Sequence, residues 1–195
     1  MRILLPYLLN RGVRRIDYVI ISHFHADHTN GLIPVFENLE VGNVVISRQS
    51  TVTYNYQRIM GILYENQIPI LIVEEGHRIV LDHYTHIDIL HPSAELISDN
   101  RGGINNNSII CRLVYGNFSM IFAGDVEQIG ERAVVARYEC LQTTVLKVAH
   151  HGSRTSSTQE FIDIVRPKIS LIGVGERNTF GHPVPEVLDR LEQAR

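Results

Sequence analysis

Seven residues, Ser22-His23-Phe24-His25-Ala26-Asp27-His28, restrict what this chain can become more than any other stretch. They follow directly on the apolar run Tyr18-Val19-Ile20-Ile21, which reads as a buried strand. If the segment leaves that strand extended, His23 and His25 point to one side, because strand side chains repeat with period two. A turn then brings Asp27 and His28 round beside them. Four metal-ligand side chains thus converge at one strand end without help from distant parts of the chain. The chain holds 10 histidines, so some clustering is expected. A His-x-His-x-Asp-His spacing on a strand end, followed by Gly31, is not what chance clustering gives. Neutral imidazole and carboxylate suit zinc, manganese or iron.

Three later segments carry chemistry of the same kind. Asp125 ends the apolar run Met120-Ile121-Phe122-Ala123, with Gly124 giving the backbone room to turn. Alone, Asp125 would read as a helix N-cap. Beside the histidine stretch, a bridging position between two metals satisfies a buried carboxylate better, since unpaired buried charge is costly. His150-His151-Gly152-Ser153 ends a further apolar run, Val145 to Ala149. Adjacent strand residues face opposite ways, so one of the two histidines is expected to be a direct ligand. Ser153, Arg154, Thr155, Ser156 and Ser157 add hydroxyl and guanidinium donors apt for a phosphate. His182, in Phe180-Gly181-His182-Pro183, reads equally as a structural or a functional loop histidine. His77, His83, His86 and His91 read as surface or loop histidines.

These motifs, in this order and together with Asn106-Asn107-Ser108, resemble the metallo-β-lactamase superfamily. Within it they are most similar to the hydrolase domain at the C-terminal end of ComEC-type DNA-internalisation (competence) proteins. The resemblance runs from about Leu5 to the end of the chain. It implies an α/β (α+β) fold, a four-layer αββα sandwich, with two divalent metal ions, zinc or manganese. One ion would take His23, His25 and Asp125, and the other Asp27, His28, Asp125 and His150. Asp27 would also orient the nucleophile, His151 and His182 would act on the substrate, and Ser153, Arg154 and Asn107 would contact phosphate. The implied substrate is nucleic acid, single-stranded DNA if the site is a narrow cleft. The implied partner is the membrane channel region of a ComEC-type protein, if the chain is a fragment of one. Its place would then be the external face of the cytoplasmic membrane, and otherwise the cytoplasm. Two departures stand out. The strand hairpin with an Asp-x-Gly-x-Gly-type motif that normally opens such domains is missing. No histidine lies between His91 and His150 to complete the first metal, where Asn106-Asn107-Ser108 offers only amide oxygen. Harder oxygen ligation moves preference from zinc towards manganese.

The remaining sequence sets bounds. A length of 195 residues suits one domain, 1–195, with a substantial core. A net charge of −3 argues against broad wrapping of duplex nucleic acid, which draws its affinity from neutralised phosphates. It leaves room for a local phosphate site or a small phosphoester substrate. No apolar window approaches the roughly twenty residues of a membrane span, so direct insertion of this chain is not expected. Cys111 and Cys140 make no metal or redox spacing and are expected as buried thiols. Periodicity and turn signals place helices at Leu4–Asn10, Gly31–Leu39, Tyr56–Gln67, Glu127–Tyr138, Gln159–Val165 and Pro185–Glu192. Strands are expected at Asp17–Ile21, Val44–Ile46, Ile70–Val73, Arg78–Leu81, His86–Leu90, Ser108–Tyr115, Phe118–Ala123, Thr144–Ala149 and Ile169–Val174. Ser93–Asn106 is expected as an irregular segment, either a loop over the site or a mobile connection.

Overall fold

The structure is a computed structural model that describes residues 3–48, 52–98 and 103–194. Two sheets lie back to back. The smaller has three parallel strands, β1 (Arg15–Ile20), β2 (Glu40–Ser47) and β3 (Ile70–Val73), in that order. The larger has six strands, β4 (Arg78–Val80), β5 (Thr85–His91), β6 (Ile110–Tyr115), β7 (Phe118–Phe122), β8 (Val145–Lys147) and β9 (Ile169–Leu171), also in sequential order. Its first four strands are antiparallel and its last two join in parallel. The helices are α1 (Leu4–Asn10), α2 (Ala26–Thr29), α3 (Ile33–Asn38), α4 (Tyr54–Glu65), α5 (Gln128–Arg137), α6 (Gln159–Val165) and α7 (Pro185–Gln193).

The period-two alternation of strand side chains divides the core into three layers. On β2, Val44 and Ile46 join Leu5, Phe36, Ile59 and Leu63 under the first set of helices. Val45 between them points the other way, meeting Ile89, Ile109 and Cys111 between the sheets. On the larger sheet, Ile110, Ile121 and Leu146 pack against Val134, Phe161, Ile162 and Val187 of α5, α6 and α7. The order is helices, three-stranded sheet, six-stranded sheet, helices: the expected αββα sandwich.

The two sheets differ in width. β1 is an edge, and no strand precedes it among the described residues. The inner face of β7 to β9 is therefore left without a covering strand. Phe118 and Phe122 of β7 and Ile169 and Leu171 of β9 are all exposed.

Local chemistry moves several boundaries. α4 starts two residues before the expected Tyr56, because the Thr53 hydroxyl caps it by accepting from Tyr56 N at 3.1 Å. Thr158 caps α6 in the same way through Phe161 N. β9 stops at Leu171, short of the expected Val174. Cys140 is exposed rather than buried, since it lies in the turn after α5, whereas Cys111 sits between the sheets with its thiol pushed up to about 12 by burial. His91, expected at the surface, is buried at the end of β5, its Nε2 2.7 Å from the Asn106 carbonyl oxygen. Part of the irregular 93–106 segment, residues 99–102, lies outside the described residues.

Candidate metal centre

The centre forms where β1, β7 and β8 run out on the same side of the sandwich. After β1, residues 21–25 stay non-helical, and His25 has extended angles (φ −72°, ψ 154°) before one helical turn, α2, begins. That turn swings Asp27 and His28 back beside His23, whose ring centroid lies 4.2 Å from that of His28. Gly124, at φ +54°, turns the chain out of β7 and lets three segments close in: a Cβ there would stand 2.9 Å from Ser108 Cβ and 3.1 Å from Ser22 Cβ. Asp125 follows. The expected alternative, a cap on the next helix, does not occur. α5 begins at Gln128, and the buried Asp125 carboxylate faces histidines instead.

Asp125 Oδ2 is the centre of the cluster. It lies 3.2 Å from His28 Nε2, 3.6 Å from His151 Nε2, 3.7 Å from His23 Nε2 and 4.0 Å from His150 Nε2. Asp27 Oδ2 stands 3.4 Å from His28 Nε2 and 3.3 Å from His151 Nε2. One ligand atom from each of Asp27, His28, Asp125 and His151 falls within 4.8 Å of the others. His25 Nδ1 is 3.1 Å from His23 Nε2.

Electrostatics follow from burial and crowding. Burial, then the charge of His28, take the His23 imidazole down to about 3. Burial alone would lower His28 and raise Asp125. Their mutual hydrogen bond and charge reverse both: His28 is raised, and Asp125 is held well below the usual carboxylate range. Burial lowers His150.

His150 and His151 occupy a 3-10 turn, Ala149–Gly152, in which both have left-handed angles (φ 45° and 54°). Such angles are uncommon outside glycine and mark strain held in place by surroundings. The turn is why the two rings diverge. His151 Nδ1 is 2.6 Å from the Gly173 carbonyl oxygen. With the Nδ1 proton donated there, the Nε2 lone pair faces Asp27 and Asp125, the tautomer a metal ligand needs. His150 Nδ1 instead meets Glu127 Oε1 at 3.5 Å and Thr155 Oγ1 at 3.4 Å. The cluster of four therefore contains His151, in the place the resemblance gave to His150.

The donor set fits a divalent cation. Asp125 Oδ1 and His151 Nε2 are buried without a hydrogen-bond partner. Several imidazole nitrogens and two carboxylates share one small volume, an arrangement that a cation relieves.

Other expected site residues are spread unevenly around this centre. His182 stands at the rim, its ring centroid 6.0 Å from that of His150 and its Nδ1 buried without a partner. Ser153 is buried, with its hydroxyl 3.0 Å from Thr155 Oγ1. Arg154 is exposed and paired with Glu186 of α7 at 3.2 Å. Asn107 is drawn elsewhere: its amide donates to the Ile97 and Gly103 carbonyls and accepts from Ile97 N. Its neighbour Asn106 accepts from Gly130 N. Both asparagines brace the segment leading into β6.

Residues that sequence reasoning passed over include Glu127, Glu131 and Lys147. In the sequence Glu127 reads only as a helix start, although it lies two residues from Asp125. Lys147, half-buried and lowered by burial, lines with His28, Ser22 and Gly124 a groove of about 490 Å³ between the sheets. Glu131 of α5 is fully buried and accepts from Ser157 N and Thr158 N, while Arg190 of α7 donates to the Ser157 carbonyl at 2.6 Å. These bonds tie the loop after His151 to the helix after Asp125. Periodicity cannot reveal such a buried charge.

Burial pushes the Glu131 carboxyl up to about 7, although the Thr158 and Ser157 donors and Arg190 pull it down. With the folded value above the ordinary 4.5, its contribution to stability is whole below about 4.5 and lost as pH rises through about 7. Glu131→Gln cannot titrate. Urea midpoints taken at about pH 5 and about pH 8 should show wild type losing stability relative to the variant as pH rises. A constant gap would mean that the carboxyl titrates normally.

The geometry defines a class first: an αββα sandwich with a histidine–carboxylate cluster where both sheets end. A family model of the metallo-β-lactamase superfamily matches residues 1–176, and the chain belongs to that superfamily, whose members are in general metal-dependent hydrolases. It is 28% identical over 193 residues to ComE operon protein 3 of Bacillus subtilis (strain 168), covering 98% of this chain and 24% of that one. It is 28% identical over 194 residues to Competence protein ComA of Neisseria gonorrhoeae, covering 96% and 24%. The chain thus spans about a quarter of the length of these relatives. Among solved structures, the diiron β-hydroxylase CmlA from Streptomyces venezuelae matches with a TM-score of 0.60 at 16% identity, over 93% of this chain and 42% of that one. A putative metal-dependent hydrolase from Parabacteroides distasonis ATCC 8503 matches at 0.55 and 16%, over 92% and 73%. These two likenesses show the shared fold. No helix among the described residues is long and apolar enough to cross a membrane.

Proposed function

We propose that the chain is a metal-dependent phosphodiesterase that cuts DNA in a DNA-uptake setting. The observation that carries the chemistry is the Asp125-centred cluster with its two buried, unpartnered ligand atoms. The setting is drawn from the relatives named for competence. His23, His25 and Asp125 would hold one divalent ion, and Asp27, His28, Asp125 and His151 a second, zinc or manganese. Such ions supply Lewis acidity toward a phosphoryl oxygen and activate water at neutral pH. Around them, His150 braced by Glu127, His182, Ser153 and Arg154 line the approach for a phosphate.

The first set holds one carboxylate and two histidines, the second two carboxylates and two histidines. Metal titration should therefore resolve a tighter and a weaker site. His151→Ala should lower the affinity of the tighter one by more than about 100-fold, and His150→Ala by no more than the roughly 10- to 100-fold that outer partners of ligands contribute. Equal losses in the two variants would remove the distinction drawn between these histidines.

The sparse first set also favours a second reading, a catalytically weak binding module. Cleavage of single-stranded DNA, duplex DNA and a nitrophenyl phosphodiester, across a salt series with manganese, separates the possibilities. Each neutralised phosphate contributes a slope of about −0.9 for duplex and about −0.7 for single strands in log K against log salt. A chain of net charge −3 should show a shallow dependence. Turnover of the small ester without any cut in DNA would replace DNA by a small phosphoester. Metal binding without turnover of any of the three would favour the binding module.

A further inference from the structure

Beyond the cluster, the loop after β9 ends at the rim of the site on an aromatic side chain that no part of the proposed chemistry uses. Phe180 is 79% exposed. Its ring lies nearly parallel to that of His182, with centroids 5.9 Å apart and 14° between planes. His182 in turn stands 6.0 Å from His150, whose Nε2 is 4.0 Å from Asp125 Oδ2. A single file of rings thus leads from the metal centre out to Phe180.

The loop presents this ring in a fixed way. Asn178 accepts from His182 N at 2.9 Å and donates to the His182 carbonyl at 3.0 Å, closing the turn that carries Phe180. Gly152 and Pro183 lock its far side: a Cβ on Gly152 would stand 2.6 Å from Pro183 Cβ, and Val184 N donates to Gly152 O. Phe180 is held out in water while its neighbour is anchored to the histidine loop of the site. A phenyl ring so placed offers one broad apolar face and no hydrogen bond. That chemistry takes a flat π-system without reading its edges, as nucleobases are stacked in single-strand binding.

We propose that Phe180, backed by His182, is a stacking platform for a nucleobase of single-stranded DNA whose neighbouring phosphate lies at the metal centre. This rests on the DNA reading above and gives it a strand form, because a base inside a duplex stack has no free face to offer. It also fits a chain of net charge −3, since stacking adds affinity that needs no further basic residues.

The test is a cycle between protein and oligonucleotide. Binding of a fluorescent single strand to manganese-loaded protein is measured for wild type, Phe180→Ala, Phe180→Leu and Phe180→Trp, with metal content checked on each. The same set is run on oligonucleotides carrying one abasic position, moved along the strand, and cleavage is followed in parallel. Phe180→Ala should weaken binding about 5- to 150-fold, the range for loss of one base–aromatic stack. Phe180→Trp should restore it and Phe180→Leu should not. At one abasic position, wild type and Phe180→Ala should bind alike. If Phe180→Ala binds as wild type does, or if the abasic penalty is the same in both at every position, the platform is wrong, and the nuclease reading stands or falls on cleavage alone. Phe180-dependent binding without cleavage would keep the platform and remove the nuclease. No binding of single strands by wild type would overturn the platform outright.

Discussion

Replacing Asp125 by alanine should abolish tight divalent metal binding and, with it, any hydrolysis, while leaving a folded domain. Asp125 Oδ2 lies within 4.0 Å of four histidine nitrogens, and Asp125 is 3% exposed. Loss of an outer partner of a metal ligand costs about 10- to 100-fold in affinity, so loss of a shared ligand should exceed about 100-fold at both sites. Asp125→Asn should be nearly as damaging, because an amide keeps the volume and loses the charge. In the metal-free protein the same change withdraws the anion that raises His28. Proton NMR of that histidine should show its titration moving to lower pH. Calorimetric titration with manganese and zinc, with circular dichroism as the control for folding, measures the main effect. Wild-type affinity in either variant would reduce Asp125 to a structural residue.

The second large effect should come from a residue with no side chain. Gly124→Ala should destabilise the protein by about 3 kcal/mol, since forced overpacking alone costs about 1–3 kcal/mol, and a left-handed angle costs an alanine about 1–2 kcal/mol more. The new Cβ would press within 2.9 to 3.2 Å of Ser108 Cβ, Ser22 Cβ and the Ile109 carbonyl oxygen. None of these is the free end of a long side chain, so the backbone must yield. For a chain of this size, about 3 kcal/mol corresponds to a fall in Tm of roughly 10 °C. Metal affinity should fall as well, because the strands parted by the methyl group carry His23 on one side and Asp125 on the other. A thermal scan and a metal titration of the same variant read both consequences. A Tm within a degree or two of wild type would mean that the junction relaxes at no cost.

Much of this was legible in the chain itself. The His-x-His-x-Asp-His stretch is a local device: a strand exit followed by one helical turn folds His23, His25, Asp27 and His28 together from adjacent residues. Local geometry is what sequence periodicity reports, so this half of the cluster and most element positions followed from it, while the layered fold followed from the resemblance of the motifs.

What adjacent residues could not fix was which atoms of the other half face inward. Strand alternation predicts that His150 and His151 diverge, but they lie past the end of β8, in a 3-10 turn. Which of them turned to Asp27 was decided by two left-handed backbone angles and by the Gly173 carbonyl, 22 residues away. Asn107 looked like a polar group beside the site, yet its amide is taken up by Ile97 and Gly103. Glu131 looked like any charge on a helix, yet it is buried against Ser157 and Thr158. His91 looked like a surface histidine and is sealed under Asn106. Each of these outcomes depends on a hydrogen-bond partner far along the chain or on a burial that only packing creates. The sequence alone determined which side-chain types converge on the candidate metal centre, whereas tertiary packing decided which of their atoms point at one another.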